Sequence, residues 1–502
     1  MQANSEHYEH DIIIVGAGVV GAMVARFLSR YDLDILWIEK ESDICTGATS
    51  ANSAIIHGGY AATPGTLKAE MNTKASPMWD QLAAELNFGF SRCGTYVVAI
   101  GDEERETLKD EAAHGAANGI PVEIISGDEM RRREPLINPE ATGALTCSVG
   151  GICDPWGVTI AAAENAVMNG VTLKRLTCFE DFIWNPADPK RIVGIKTNRG
   201  DFYGRWVINA AGIYSDRVMH KAGVRPEFKI KARRGEYYIL DRNRFTLNSV
   251  LFPVPTKVSK GIVLTTTLHG NVIVGPNAEE LDDKEDTAVT AAGLDEVWNG
   301  ARKLVPTINK RDVIAVFAGL RPGGNAPSAN PRVAYHRDFI IEIPREVTGL
   351  VNLGGIESPG LTAAPAIAER VIELLRADGE ALQEKPDWDP VRPARPVFRH
   401  LSHEEQAALV KRDPRYGRVI CRCENVTEGE IVAEIHAPIP ADTYDAIKRR
   451  TWLGTGRCQG SFDMPRVVDI LARELALDPL EVTKKGPGSS FLARETKIVG
   501  QG

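Results

Sequence analysis

Residues 11–40, DIIIVGAGVVGAMVARFLSRYDLDILWIEK, constrain the fold more than any other stretch of this chain. Ile12-Ile13-Ile14-Val15 is a short β-branched run bounded by glycine, the pattern of a strand buried on both faces of a parallel sheet. Gly16, Gly18 and Gly21 then fit G-x-G-x-x-G. The first allows a tight turn, the second lets backbone approach a pyrophosphate, and the third lets the next helix pack on the strand. That helix, with apolar spacing over 19–30, turns its free N–H groups toward the phosphates. A second strand, Ile35-Leu36-Trp37-Ile38, ends in Glu39 and Lys40. Glu39 lies about 20 residues past the glycines, where a carboxylate accepts hydrogen bonds from a ribose 2′-OH. This order predicts a dinucleotide site, and an acid with no arginine after it favours a plain ribose over a 2′-phosphate. The pattern alone does not separate FAD from NAD.

At 502 residues the chain is roughly three times a ~150-residue domain, so two or three domains are expected. Hydrophobic residues at 43% and charged residues at 25% fit a soluble globular protein. A net charge of −8 leaves no basic footprint for nucleic acid. The start, MQANSEHYEH, has no cationic region before an apolar run, and no later stretch approaches roughly 18 uninterrupted apolar residues. The expectation is a cytoplasmic chain with no transmembrane segment, reaching a membrane only through a partner. Eight cysteines are too few for a disulfide scaffold. Five of them, Cys45, Cys93, Cys147, Cys153 and Cys178, sit in apolar or loop settings and read as ordinary thiols.

Several separated segments carry a family likeness: TGATSANSAIIHGGYAATPGTLKAEMN (46–72), RRGEYYILD (233–241), FPVPTKVSKGIVLTTTLHGNVIVGP (252–276), AGLRP (318–322) and NLGGIESPGLTAAPAIAERV (352–371). They resemble the FAD-dependent amine and hydroxy-acid oxidoreductase superfamily, and within it flavin glycerol-3-phosphate dehydrogenases and L-2-hydroxyglutarate dehydrogenases. The likeness runs in order to about residue 385 and implies FAD as the cofactor. Ser50, Asn52 and Ser53 form a polar stretch able to hydrogen-bond a diphosphate. His57, before Gly58 and Gly59, has close backbone approach on its side, and the resemblance implies that it lies beside the flavin ring. The run Val207–Asn209 ends in the small residues Ala210, Ala211 and Gly212. Gly354-Gly355, with Gly360-Leu361-Thr362 opening a helix, repeats the strand, glycine and helix logic late in the chain. Two such turns suit one long dinucleotide touched at both ends.

Alternating and β-branched runs fill 91–150 and 216–330, as antiparallel strands would. The expected architecture is an α/β FAD-binding Rossmann-like domain (1–90, 151–215 and 331–385) interleaved with an antiparallel-sheet α+β substrate domain (91–150 and 216–330). A stiff linker over 386–400 follows, set by Pro386, Pro390, Pro393 and Pro396, and then a small helical module over 401–502. The active site is expected where the first two domains meet.

A flavin dehydrogenase needs a group to take the hydroxyl proton and a handle on the remote anion. Arg321, fixed between Gly319 and Pro322, can grip phosphate or carboxylate bidentately, and the resemblance places the substrate anion there. His57 and His269 compete as the base, and either can instead be a structural histidine. Arg233, Arg234, Tyr238, Lys257 and Lys68 are secondary candidates. The resemblance implies oxidation of a small anionic secondary alcohol, sn-glycerol 3-phosphate to dihydroxyacetone phosphate ahead of L-2-hydroxyglutarate. Hydride would pass to flavin N5 and electrons onward to a partner or quinone. An amino-acid or amine oxidase, and a non-catalytic electron-transfer subunit, remain as alternatives. Oligomeric state leaves no mark in the sequence.

VICRCENVTEGEIVAEI and GRCQGSFDMPRVVDIL resemble the two halves of a bacterioferritin-associated-ferredoxin-like [2Fe–2S] domain. Its ligands, C-x-C then C-x4-C, fall here on Cys421, Cys423 and Cys458, with Asp463 in place of the fourth cysteine. Thiolates suit iron–sulfur clusters, and a carboxylate is also an anionic ligand. Three outcomes stay open: a cluster on three cysteines and Asp463, a module that has lost its cluster and serves for docking, or a different metal.

Overall fold

The computed structural model describes residues 8–255, 261–324 and 338–495. Its first layer grows from the strand His10–Val15, whose Ile12 and Ile14 face one core while Ile13 and Val15 face another. A strand buried on both sides needs apolar residues at every position, which explains the unbroken β-branched run. Ile35–Ile38 and Gly200–Asn209 flank it in parallel. Thr172–Lys174 extends the sheet on one side and Leu350–Gly354 on the other, and Ile340–Glu342 closes that edge antiparallel. Helices Val19–Leu28, Pro155–Met168 and Gly360–Ala377 cover one face. Strands Phe179–Asn185 and Asp188–Thr197 cover the other with helix Ser215–Lys221. Val218, Met219 and Val224 belong to this core, and Phe228 packs on Gly354 of the same layer, so the layer's contacts continue past residue 216.

The inserted segments build a second, nine-stranded sheet backed by helices Asp102–Ala117 and Ala291–Leu304. One pairing is parallel, Val250–Pro253 beside Thr95–Ile100. These strands come from different inserted pieces, so no hairpin fixes their relative direction. Ile230–Leu240 and Val313–Gly324 form a long antiparallel pair that reaches back to the first layer. There Gly319 presses on Ala51, where a Cβ would come within 2.1 Å of the Ala51 carbonyl oxygen.

Residues 388–397 have neither helix nor strand and lead into the single 3-10 turn Phe398–His400, yet the proline-rich segment is not a free spacer. Asn165 and Asn169 donate to the Asp389 carbonyl, and Trp388 Nε1 donates to Ser29 Oγ. Arg392 and Arg395 both bind Glu164, at 2.6 and 2.9 Å, and Glu164 is fully buried. The linker is thus a strap clamped to helix Pro155–Met168. It delivers the chain to a module in which helices Glu428–Ile435, Tyr444–Thr451 and Met464–Leu475 enclose a separate core. This module docks through buried Asp43, bound bidentately by Arg450 at 2.8 and 2.9 Å and by Arg449 at 2.7 Å. Those cations hold the Asp43 carboxyl well below the usual carboxylate range. Trp156 and Trp452 stack across the same interface, with centroids 4.6 Å apart.

Glu164→Ala strands two arginines against the helix. Because the acid is fully buried and the arginines keep some solvent, the expected loss is about 3 kcal/mol. It is read as a lower urea midpoint, with faster protease cleavage within 386–400.

Candidate active site

A cavity of about 1550 Å³ opens between the two sheets. Small-ligand pockets span roughly 300–1,000 Å³, so this one has room for a dinucleotide together with a substrate. Gly16, at φ +103°, passes so close to Ala210 that a Cβ would lie 2.6 Å from its carbonyl oxygen, and a Cβ on Gly21 would lie 2.1 Å from the Gly16 oxygen. Gly18 instead faces the cavity, and the neighbouring Val19 N–H donates to Thr49 Oγ1 at 3.0 Å. Thr49 carries no signal in the sequence. Glu39 lines the same end; its carboxylate accepts from Ala17 N at 2.7 Å and Glu41 N at 2.9 Å, and burial raises its pKa. With about two lone pairs on each oxygen, that carboxylate keeps acceptor capacity for ribose hydroxyls. Lys40 sits beside it, with Nζ 4.5 Å from the Tyr214 ring centre and paired to Glu41.

The loop after the second strand lines the cavity, but its polar side chains are turned inward. Ser50 Oγ donates to the Thr46 and Gly47 carbonyls. Asn52 Nδ2 donates to those of Ala48 and Thr49, while its Oδ1 accepts from Ala54 N. These two residues shape the loop through its own backbone while lining the cavity with Ser53, which hydrogen-bonds Tyr237. Ala211, Gly212, Gly360 and Leu361 are also at the cavity wall. Gly21, Gly58, Gly354, Gly355 and Thr362 stand behind it. A Cβ at Gly58 would meet Cys147 Sγ at 2.3 Å, and one at Gly354 would meet Phe228 at 2.9 Å. Gly355 makes the turn at φ +64°, and Thr362 Oγ1 accepts from His57 N at 2.9 Å. They position the wall and do not line it.

His57 and Arg321 share the cavity. The His57 Nε2 is 3.3 Å from Ser358 Oγ, and its ring lies 6.0 Å from that of Phe252. Arg321 is held by carbonyls, with Nη2 donating to Asn277 O at 2.6 Å and Nε to Arg233 O at 3.3 Å. Arg233 is its direct cross-strand neighbour, also lines the cavity, and buries an Nε without a hydrogen-bond partner. Strand alternation sends Arg234 and Tyr238 the other way. Arg234 binds Glu279 at 2.6 Å and Asp286 at 3.0 Å, and Tyr238 packs on Trp298, so neither is a pocket residue. Lys68 is paired to Glu357 at 2.8 Å, and Lys257 lies outside the described residues.

His269 is not in the cavity. Its Nδ1 accepts from Arg399 Nη2 at 2.8 Å, and its ring lies 4.1 Å from Trp452, so it belongs to the docking interface of the C-terminal module. Burial, with Arg399, His400 and Arg242 nearby, pushes its pKa down to about 3, which corrects its candidacy as the base. The same module brings Asp445, Arg449 and Lys485 to the cavity edge. No motif in the sequence announces them.

All eight cysteines are free thiols. Cys421 lies beside Asp463, and its pKa is pushed up to about 12, chiefly by burial. Cys423 lies beside Cys458. Among the described residues no three His, Cys, Asp or Glu side chains converge on one point as a single ion would require. The arrangement is two pairs, which suits a two-iron group better than one ion.

The family described as FAD dependent oxidoreductase matches residues 11–374, and the BFD-like [2Fe-2S] binding domain matches 419–473. The chain belongs to the FAD-dependent oxidoreductases, and FAD is its cofactor. It is 42% identical to a glycerol 3-phosphate dehydrogenase of Caloramator mitchellensis over 97% of this chain and 99% of that one. It is 32% identical to the glycerol 3-phosphate oxidase of Mycoplasma genitalium over 76% of this chain and 97% of that one. The solved FAD-bound L-alpha-glycerophosphate oxidase of Mycoplasma pneumoniae superposes with a TM-score of 0.70 at 31% identity, covering 77% of this chain and 99% of that one.

The unfolded chain protonates His269 near 6.5 and the folded chain only near 3, so the folded state binds fewer protons between them. This contribution to stability is therefore complete above about 6.5 and is lost as pH falls toward 3. His269→Gln, which takes up no proton, is expected to flatten that part of the acid slope in denaturant midpoints measured against pH.

Proposed function

We propose that this protein oxidises the secondary hydroxyl of sn-glycerol 3-phosphate to the ketone of dihydroxyacetone phosphate. The observation that carries this reading is the pair Arg233 and Arg321, directly opposite each other on the cavity face of one antiparallel ladder. Like charges so placed repel, and a dianionic phosphate between them removes the repulsion. The full-length likeness to a glycerol 3-phosphate dehydrogenase supports the same substrate. FAD, held by the cavity, would supply the acceptor for the hydride of the carbinol carbon. The protein's own groups do the rest. Arg321 and Arg233 hold the phosphate and so fix the distance of the reacting carbon from the anchor, while His57 takes the hydroxyl proton as hydride leaves. Ser358, at 3.3 Å, orients the His57 ring, and Phe252 limits solvent beside it. The hydride would carry two electrons and one proton to the acceptor, and the second proton, from the hydroxyl, goes to the His57 imidazole. Glu39, the backbone around Gly18, and the Thr46–Ser53 loop form the cradle assigned to the dinucleotide. No helix among the described residues is long and apolar enough to cross a membrane, and the final electron acceptor would be a quinone or a redox partner.

Two substitutions test the division of labour in anaerobic stopped-flow reduction of the flavin. Arg321→Ala is expected to raise the half-saturating glycerol 3-phosphate concentration by about 10- to 10²-fold, with a smaller effect on the limiting rate, because a charge-assisted grip of about 1.5–3 kcal/mol is lost. His57→Asn is expected to slow the limiting rate by about 10²–10⁴-fold with little change in half-saturation. Interchanged effects would contradict the assigned roles.

A further inference from the structure

Asp463 occupies the N-cap position of helix Met464–Leu475, where an aspartate ordinarily accepts a hydrogen bond from the first turn. It makes no such bond. Its side chain is instead fully buried. Oδ1 accepts from Tyr444 O–H at 2.7 Å, and Oδ2 is buried with no hydrogen-bond partner. A carboxylate oxygen withdrawn from water and from its own helix is costly unless something positive meets it. Around the carboxyl stand the Cys421 sulfur, the Tyr444 hydroxyl and the Lys448 ammonium. Cys421 is beside the carboxyl, and the Tyr444 hydroxyl that holds Oδ1 also lies close enough to Cys421 and Cys458 to be perturbed by both. Cys423 completes the set through its contact with Cys458. The donors therefore stand as Cys421 with Asp463 and Cys423 with Cys458, two for each iron of a binuclear cluster.

We infer that Asp463 ligates a [2Fe–2S] cluster through Oδ2, as the fourth protein ligand beside Cys421, Cys423 and Cys458, and that Tyr444 is the positioning residue that holds Oδ1 aside. This rests on the match of residues 419–473 to a [2Fe-2S] binding domain and is independent of which alcohol the flavin oxidises. Cluster binding takes three thiolates and one carboxylate, with the thiol protons released to solvent. The Tyr444 hydroxyl donates to the oxygen that does not bind iron, so a single oxygen is presented, and its removal would let the carboxylate rotate.

The full-length protein, loaded anaerobically with ferric iron and sulfide, is assayed for iron and acid-labile sulfide, and dithionite-reduced samples are examined by EPR. The wild type is expected to hold about two irons per chain, and Asp463→Ala to lose roughly tenfold or more of that iron. Asp463→Cys is expected to keep the iron but move its EPR g values and visible bands, since a thiolate replaces an oxygen donor. Tyr444→Phe is expected to bind iron about tenfold more weakly with altered g values, a change a merely packing tyrosine would not cause. Equal iron and an unchanged EPR spectrum in Asp463→Ala would overturn the inference. So would a wild type that takes up no iron while Asp463→Cys does. The iron and sulfide assay reads this site whether or not substrate is oxidised, so its failure leaves the alcohol reading standing.

Discussion

The cofactor end of this molecule depends on one close approach of backbone to backbone. Gly16 passes the Ala210 carbonyl with no space for a side chain, and Gly21 sits against the carbonyl of Gly16 itself. The two contacts tie the end of the strand His10–Val15 to the neighbouring Gly200–Asn209 strand and to the start of helix Val19–Leu28. With any side chain at either position the helix start would be pushed off the sheet, and the N–H groups that face the cavity would move with it. Glu39, the Thr46–Ser53 loop and Ala211 are all placed relative to that crossing.

The inserted sheet supplies what the first layer lacks. Its longest pair enters over Ala51, where Gly319 lets the strand lie against the loop, and two residues further on Arg321 faces Arg233 inside the cavity. The ladder sets Arg321 opposite Arg233 on one cavity wall, where two cationic side chains favour an anionic substrate. The anion grip and the close docking of the two domains are thus parts of one arrangement. The C-terminal module is fixed to the same body by buried charge and stacked indoles, so Arg449 reaches the cavity edge while the cysteine pairs stay within the module.

What the sequence disclosed was what is local. The strand, glycines, helix and acid of residues 11–40 are contiguous and each has a backbone reason, so their arrangement was legible. Arg321 was legible because glycine and proline fix its surroundings. His269 misled for the opposite reason. Its flanking glycine resembles that of His57, but its environment is made by Arg399 and Trp452, which lie in segments far along the chain. The same holds for Asp43 with Arg450 and for Thr49 with Val19, contacts with no periodic signal. Arg234 and Tyr238 were separable in principle. In a strand the residues sharing a face alternate, so choosing Arg233 and Tyr237 for the cavity already sends Arg234 and Tyr238 away. The turn-closing bonds of Ser50 and Asn52 had no separate signal, because a serine or asparagine that serves a ligand and one that closes its own turn look alike in sequence.

The central claim, that the arginine pair selects a phosphate-bearing secondary alcohol for oxidation, is tested most directly by anaerobic titration of the purified flavoprotein. The absorption of the oxidised flavin is followed as sn-glycerol 3-phosphate, L-2-hydroxyglutarate, glycerol or an amino acid is added. Bleaching by sn-glycerol 3-phosphate at far lower concentration than by any of the others is the predicted result. Bleaching by an amino acid or by L-2-hydroxyglutarate, with sn-glycerol 3-phosphate inert, would contradict it.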